Sequence, residues 1–467
     1  MKAKSQGSLQ SSLGPVQFLT IGLGTMIGIA WAVVLGDWLD MAAPMGAIIG
    51  FVIGGVGMML IAACYAELST AMPRAGADVI YVLEVFGPRA AFIVGWFLVL
   101  MAITVTSFEA IALAWFFEAL FPAMADAPHV ALGDIRVNMV SAAIQIFGML
   151  LLITANYRGA HASSRIQDIT TFTKAAGAVL FLAAAFIGGD TANITPALTP
   201  SNGKSFIWGT LWIAATAPIW FSGFQIIPQA IEERREGTSL KTVATITVAS
   251  IAVGVVFYSL IVIAASMTMP WPALVRMPQP AFAAIDAAFG ISLLAKAVMA
   301  AVIFGIIATW NACFLWAIRL LLGMARNGLI PEAFMRINRF GAPGFSALFA
   351  GAIGIAALAL GRDGLIAIVN MAAMSLALSF AACCYATFRL RKTRPDLERP
   401  FRTPGGRGVI GLATAVAVVM AVAAVLEPLS RNWTIPIEWI LLALWGGAGI
   451  LVWHLSQRKK ASAAAEA

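Results

Sequence analysis

The stretch "IGLGTMIGIAW", residues 21–31, opens the first long apolar run of the chain and holds Gly22, Gly24 and Gly28, with Thr25 among them. Glycine inside a helix costs about 1 kcal/mol relative to alanine, so a segment that crosses hydrocarbon needs a reason to carry three. Two readings fit. Small residues at every fourth position, as in Gly24-x-x-x-Gly28, let helix backbones pack closely. Alternatively the helix unwinds there and leaves main-chain N–H and C=O groups free to bind a solute, an arrangement tolerated at mid-depth only against protein or a cavity.

The surrounding sequence is that of an integral membrane protein. Of 467 residues, 61% are hydrophobic and only 11% charged, against about 25% charged in an ordinary soluble domain, and the mean hydropathy is +0.90. Runs of about 20 apolar residues, enough to cross a ~30 Å core at 1.5 Å per residue, recur throughout. They predict an all-α fold of twelve transmembrane helices, over residues 15–38, 44–67, 89–119, 137–156, 165–188, 207–232, 242–268, 290–323, 344–360, 364–388, 408–427 and 434–455. The third and eighth are longer than a vertical crossing needs, so they tilt or continue past the surface.

Lysine and arginine set the orientation, because short positive loops stay on the cytoplasmic side. Arg74, Arg158, Arg234, Arg326 and the run from Arg389 to Arg407 fall on one side, while the other holds Arg136, Lys204, Arg276, Arg362 and Arg431. Both termini are therefore placed in the cytoplasm of a multi-pass cell-membrane protein. The pI of 9.6 is read as topology and attraction to anionic lipid; charges spread over so many loops do not suit nucleic acid. "MKAKSQGSLQSSLG", residues 1–14, lacks a signal-peptide cleavage site, and the tail "ASAAAEA" is expected to be disordered.

Cys64, Cys313, Cys383 and Cys384 lie inside spans without metal-ligand spacing, and His129, His161 and His454 are scattered. No metal site or cofactor is predicted. A membrane enzyme would want His, Asp or Glu clustered at one face, and a channel a continuous polar stripe; neither pattern is present.

A second interruption favours unwinding over packing. Residues 210–237 read "TLWIAATAPIWFSGFQIIPQAIEERREG", with Pro218, Ser222, Gly223 and Pro228 breaking one apolar run. This is span 6, five after span 1, and paired interruptions in corresponding spans point to an inverted-repeat transporter that holds its substrate at the midplane. The repeat rests on placement, since spans 1–5 and 6–10 show no convincing residue-level similarity.

Two charges sit at depth. Lys174, in "TTFTKAAGAVLFL", lies about ten residues or ~15 Å into span 5, where an ammonium must pair or lose its proton; an intramembrane lysine is a functional hypothesis by default, although carbonyls could satisfy it for structural reasons alone. Glu109, in "TVTSFEAIAL", is either a solvated interfacial carboxylate or a deeper partner for a cation. Thr309, Trp310 and Asn311 of span 8 are cavity liners or interhelical hydrogen-bonding groups.

Several passages, taken in order, resemble the amino acid-polyamine-organocation superfamily of secondary transporters: "GTMIGIAW"; "YAELSTAMPRAGADVIYVLEVFG", similar to a Y-x-E-L … P-x-x-G-G-x-Y pattern; "FSGFQIIPQAIEE"; and "RLLLGMARNGLIPEAF" with "GAPGFSAL". The resemblance covers spans 1–10. It implies two inverted five-helix repeats with discontinuous helices 1 and 6 in a core over residues 15–391, peripheral spans 11–12 over 392–456, and cytoplasmic tails at 1–14 and 457–467. It also implies a site between spans 1, 3, 6 and 8, with amide N–H groups of span 1 for a substrate carboxylate and carbonyls of spans 1 and 6 for its ammonium.

The matching positions are Thr25, Met26, Ile27, Gly28, Ile29 and Ala30, and Trp220, Phe221, Ser222, Gly223 and Gln225, with Glu109 a further contributor; Lys174 matches a span-5 lysine of proton-dependent members. The chain departs from the pattern where Gly28-Ile29-Ala30 replaces G-S-G, where Gln225 replaces a common glutamate and where Ala77 replaces a glycine. The expected protein is a proton-coupled permease for an amino acid or related small organocation. Its partners are substrate, protons and the bilayer, and its rivals are a sodium-coupled symporter or an exchanger of the same fold.

Overall fold

A computed structural model describes residues 13–28, 30–73, 77–124, 126–132, 135–158, 163–290, 292–361, 364–430 and 436–466. Ile29, Arg74, His161, Arg362 and Arg431, named above, lie outside the described residues.

Helix α1 (Pro15–Met26) starts with proline at its first position, where a missing N–H is harmless, and stops at Ile27. Helix α2 (Ala30–Ala71) is bent at Ala43, φ 53°, just before Pro44. Proline cannot donate to the preceding turn and its ring clashes there, so two helices meet at the boundary expected between spans 1 and 2. Next come α3 (Ala77–Phe86) and α4 (Pro88–Leu120). The connection after α4 holds an antiparallel hairpin, β1 (His129–Leu132) with β2 (Ile135–Asn138), which an all-helical fold does not include. The Asn138 side chain then caps α5 (Met139–Tyr157) by accepting from the N–H groups of Val140 and Ser141, and α6 (Ser163–Gly188) follows.

Span 6 is three short helices, α7 (Phe206–Ala215), α8 (Ala217–Trp220) and α9 (Ile226–Gln229). Beyond it lie α10 (Leu240–Thr268), α11 (Trp271–Leu274) and α12 (Pro280–Phe289). The last is an apolar helix between the seventh and eighth predicted spans, begun by Pro280 and ended by left-handed Gly290. The chain continues through α13 (Ser292–Arg326), α14 (Gly344–Ala357), α15 (Leu365–Thr393), α16 (Gly406–Leu426) and α17 (Ile437–Glu466). The C-terminal tail corrects one expectation: "ASAAAE" extends α17 instead of ending it, as its alanine and glutamate content favours.

Among the described residues, eight helices are long and apolar enough to cross a membrane, and shorter apolar helices lie at Phe172–Gly188, Phe206–Ala215, Pro280–Phe289 and Gly344–Leu360. The protein is an all-α membrane protein. Helix α2 packs against α7 and α10, α4 packs against α13 and α15, and α6 lies along α13. Helix α17 is tied to α4 by two indoles, the Trp96 N–H donating to Trp445 O (2.9 Å) and the Trp445 N–H to Trp96 O (3.0 Å), their rings stacked at 4.5 Å. What this packing leaves at the centre is the pair of broken helices.

Candidate functional site

The three glycines of the opening stretch have three different uses. Gly22 faces α9: a Cβ there would lie 2.5 Å from Ile227 Cδ1, so this glycine is a packing residue. Gly24 offers its carbonyl to the Lys174 ammonium, 2.9 Å away. Gly28 lies past the break, in the wall of a cavity. The break itself is an inverse γ-turn: the Gly28 N–H returns to Met26 O (2.9 Å) around Ile27, at φ −80° and ψ 71°.

The break in span 6 is longer. The chain leaves helix after Trp220 and resumes at Ile226. Gly223 has φ +117°, and a Cβ on it would stand 2.6 Å from Met26 N, so the two breaks touch through main chain where only glycine fits. Gln225, fully buried, turns its amide oxygen back onto the Gly223 N–H (2.7 Å).

One side chain joins the breaks. Tyr258 of α10 places its hydroxyl 2.9 Å from Met26 O and 3.0 Å from Trp220 O. Both are carbonyls at helix ends, left without an intrahelical partner. Its ring is held by Phe51, stacked at 5.2 Å, and by Trp38 and Phe221, edge-on at 5.7 and 5.8 Å.

Around this staple is a chamber of ≈ 50 Å³, room for a few waters. Thr25, Met26 and Gly28 line it from the first break, Ile219, Trp220 and Ser222 from the second, and Met101, Val105, Phe108 and Glu109 from α4. Tyr258, Thr309, Cys313, Trp316, Ile368 and Val369 complete it. Thr25 and Ser222 return their hydroxyls to their own helices, at Ile21 O and Ile219 O. Glu109 is 2% exposed and its Oε2 has no hydrogen-bond partner. Lys174 and Cys313 both act on it through space. Room for the lysine stem comes from α13, where a Cβ on Gly305 would lie 2.8 Å from Lys174 Cγ and Cδ.

Trp220 and Val369 also line a second, larger cavity of ≈ 750 Å³ whose wall includes Asp37, Asp40, Lys204 and Trp212. These two residues form the partition between vestibule and chamber. The opposite end is sealed. Rings of Tyr65, Phe224 and Phe380 meet at 5.3–5.8 Å. Near that seal Glu67 takes Arg391 through both oxygens (2.8 and 2.6 Å), Arg399 at 3.3 Å and the Thr403 N–H at 2.8 Å.

Of the residues singled out in the sequence, Thr25, Met26, Gly28, Glu109, Trp220 and Ser222 stand in the chamber wall. Ile27, Phe221, Gly223 and Gln225 build the breaks behind it; Ala30 opens α2, and Ile29 is outside the described residues. Lys174 lies behind the wall, 4% exposed. Tyr258 was missed. Its signal was available: a phenol in the middle of a hydrophobic span, in a chain with 5 tyrosines, must find a polar partner.

Two broken helices meeting at a small chamber beside a larger cavity are the parts of a membrane transporter. The chain belongs to the amino acid permease family, which it matches over residues 13–447. It is similar to the methylthioribose transporter of Bacillus subtilis (strain 168), 27% identical over 467 residues covering 97% of this chain and 94% of that one. It is also similar to the branched-chain amino acid permease BcaP of that organism, 24% identical with 97% and 94% covered, and to its aspartate-proton symporter, 23% identical with 86% and 76% covered.

Proposed function

We propose that the chain is a secondary active permease for an amino acid or related small organocation, coupled to protons and working by alternating access across the cell membrane. In this reading it has twelve spans. Residues 15–391 form two inverted five-span repeats, 392–456 are peripheral, and the tails at 1–14 and 457–467 are cytoplasmic. The vestibule then faces outward and the sealed end inward. The observation that carries the proposal is the junction at the first break, where non-helical main chain in the cavity wall, the bare oxygen of Glu109 and the Lys174 ammonium on Gly24 O come together.

The chemistry follows from helix ends. α1 and α8 present carbonyls at their C-termini, at Met26 and Trp220, which carry partial negative charge and suit an ammonium. The start of α2 presents N–H groups, which suit a carboxylate. Tyr258 has one hydroxyl proton for two carbonyls, so acceptor capacity remains for a ligand with three N–H donors. Thr25, Met26, Gly28, Trp220, Ser222 and Glu109 would touch the substrate, with Trp220 closing over it; Ile27, Ile29, Ala30, Phe221, Gly223 and Gln225 would shape its main-chain cradle.

Lys174, when charged, holds α6 to α1 and rests on α13. Loss of its proton weakens that hold and lets the bundle rock, and linkage then couples proton to substrate. A fixed positive charge at this place also disfavours a sodium ion, the requirement of the rival symporter. The aspartate-proton symporter among the relatives is named for proton coupling, which supports the same reading.

Uptake into proteoliposomes tests it. Transport driven by an imposed proton gradient in sodium-free buffer is expected, and Lys174→Ala should remove that dependence. Uptake that needs sodium would replace the proton reading with its rival.

A second reading keeps the carrier and changes the cargo, because one relative is named for methylthioribose, which has neither carboxylate nor ammonium. A thermal-shift panel of amino acids, polyamines and methylthioribose on the purified protein separates the two, since a ligand of the folded state raises Tm by mass action.

A further inference from the structure

Asp78, on α3, lies away from the chamber, at the sealed end. It is 1% exposed, and three other elements meet it. The Tyr65 hydroxyl of α2 donates to its Oδ1, the Ser379 hydroxyl of α15 donates to the same oxygen at 2.8 Å, and the Cys383 thiol stands 4.0 Å from it. The Gln229 amide of α9 reaches the same carboxyl, and Tyr65 is itself one of the three rings that close this end. Oδ2 is buried with no hydrogen-bond partner.

An ionised carboxylate needs both oxygens solvated, and a bare one in apolar surroundings is expensive. A neutral carboxylic acid is not. The Gln229 amide can accept as well as donate, depending on which way round it lies, so it can serve the neutral carboxyl as well as the charged one.

The titratable groups acting on this site are Tyr65, Tyr81 of its own helix and Cys383, none of them basic. The charges on the packed elements are directed elsewhere. Glu67 and Arg391 pair with each other, Glu84 is 3.7 Å from Arg394, Arg389 lies over the Phe86 ring and Arg89 is exposed at the start of α4. Beyond α9, Arg234 donates to Thr238 O. Asp78 is outside the membrane-spanning helices, and burial pushes its carboxyl above the usual range against the hydrogen bonds that favour its charged form.

We infer that Asp78 is a second proton-binding site, distinct from Lys174 and Glu109, protonated while the inner end is sealed and deprotonated when α2, α3, α9 and α15 part and admit water. On opening, the O–H bond breaks with its electron pair kept by the carboxylate, and the proton passes to water. The site rests on the reading of the chain as an alternating-access carrier. It would couple opening of that end to proton release into the cytoplasm. The sign is that of a carboxyl held above its free value: rising pH removes the proton and destabilises the sealed state.

Infrared spectroscopy of the purified full-length protein in lipid reads this without any substrate. A protonated-carboxyl carbonyl band should persist at neutral pH, be lost in Asp78→Asn and remain in Glu109→Gln. Asp78→Asn should also melt at the same temperature across the pH range where the wild type loses stability. An unchanged band in Asp78→Asn overturns the proposal. Should that variant not fold, Tyr65→Phe decides, because it removes a donor to the charged form and should move the band's titration midpoint upward; a midpoint that stays or falls overturns the proposal equally. Sodium-driven uptake with the Asp78 band present would refute the proton-coupled function and leave this site standing.

Discussion

The two helix breaks solve one problem by different means. The first needs a single turn: Ile27 takes an ordinary φ, the Gly28 N–H closes on Met26 O, and the main chain stays in the cavity wall. The second is a run of turns with a left-handed glycine at its centre and a buried glutamine latched onto that glycine. Both breaks face the chamber, but only the second is braced from within by a side chain of its own. A glycine that opens backbone and a glycine that permits a bend look alike in sequence, and only their neighbours tell them apart.

That contrast can be broken by substitution. The largest effect is expected at Gly223. Leucine there would strain a φ of +117° and drive Cβ into the Met26 main chain, so both breaks move; transport should vanish in proteoliposomes, and wild-type uptake by Gly223→Leu would refute the account of the second break.

Next is Gly28→Leu, which fills the chamber and should abolish ligand-induced thermal shift while leaving a folded protein. Lys174→Ala should flatten the pH dependence of uptake. Tyr258→Phe keeps the ring and removes the staple between the breaks; a net hydrogen bond of about 1 kcal/mol makes ligand binding weaker by about fivefold, measured by titration calorimetry. The smallest effect on ligand binding belongs to Gln225→Ala, whose cost of about 1–3 kcal/mol for a buried unpaired N–H falls on stability. It should lower Tm with little change in ligand affinity, whereas a Gln225 that touched substrate would lose affinity first.

Much of the fold was legible because hydrocarbon imposes one pattern on every crossing, so the helices fall close to the runs read from the sequence. Both breaks were legible as well, since Gly28, Gly223 and Pro218 contradict that pattern, and so was Lys174, whose charge stands out at depth. What escaped notice depends on contacts between distant parts of the chain. Tyr258 meets Met26 across 232 residues, Gly22 has its purpose in Ile227 of another helix, and Gln225 faces the main chain two residues away instead of the cavity. Helix α12 was hidden by brevity, being too short to cross a membrane and too apolar to read as a loop.

The most direct test is an experimental density map of the full-length protein with a bound amino acid from the thermal-shift panel. The account predicts a break at residues 27–28 and another at 221–225, with the ligand ammonium on Met26 O and Trp220 O and its carboxylate at the start of α2. Unbroken helices through both segments, or a ligand held only by side chains elsewhere, would contradict it.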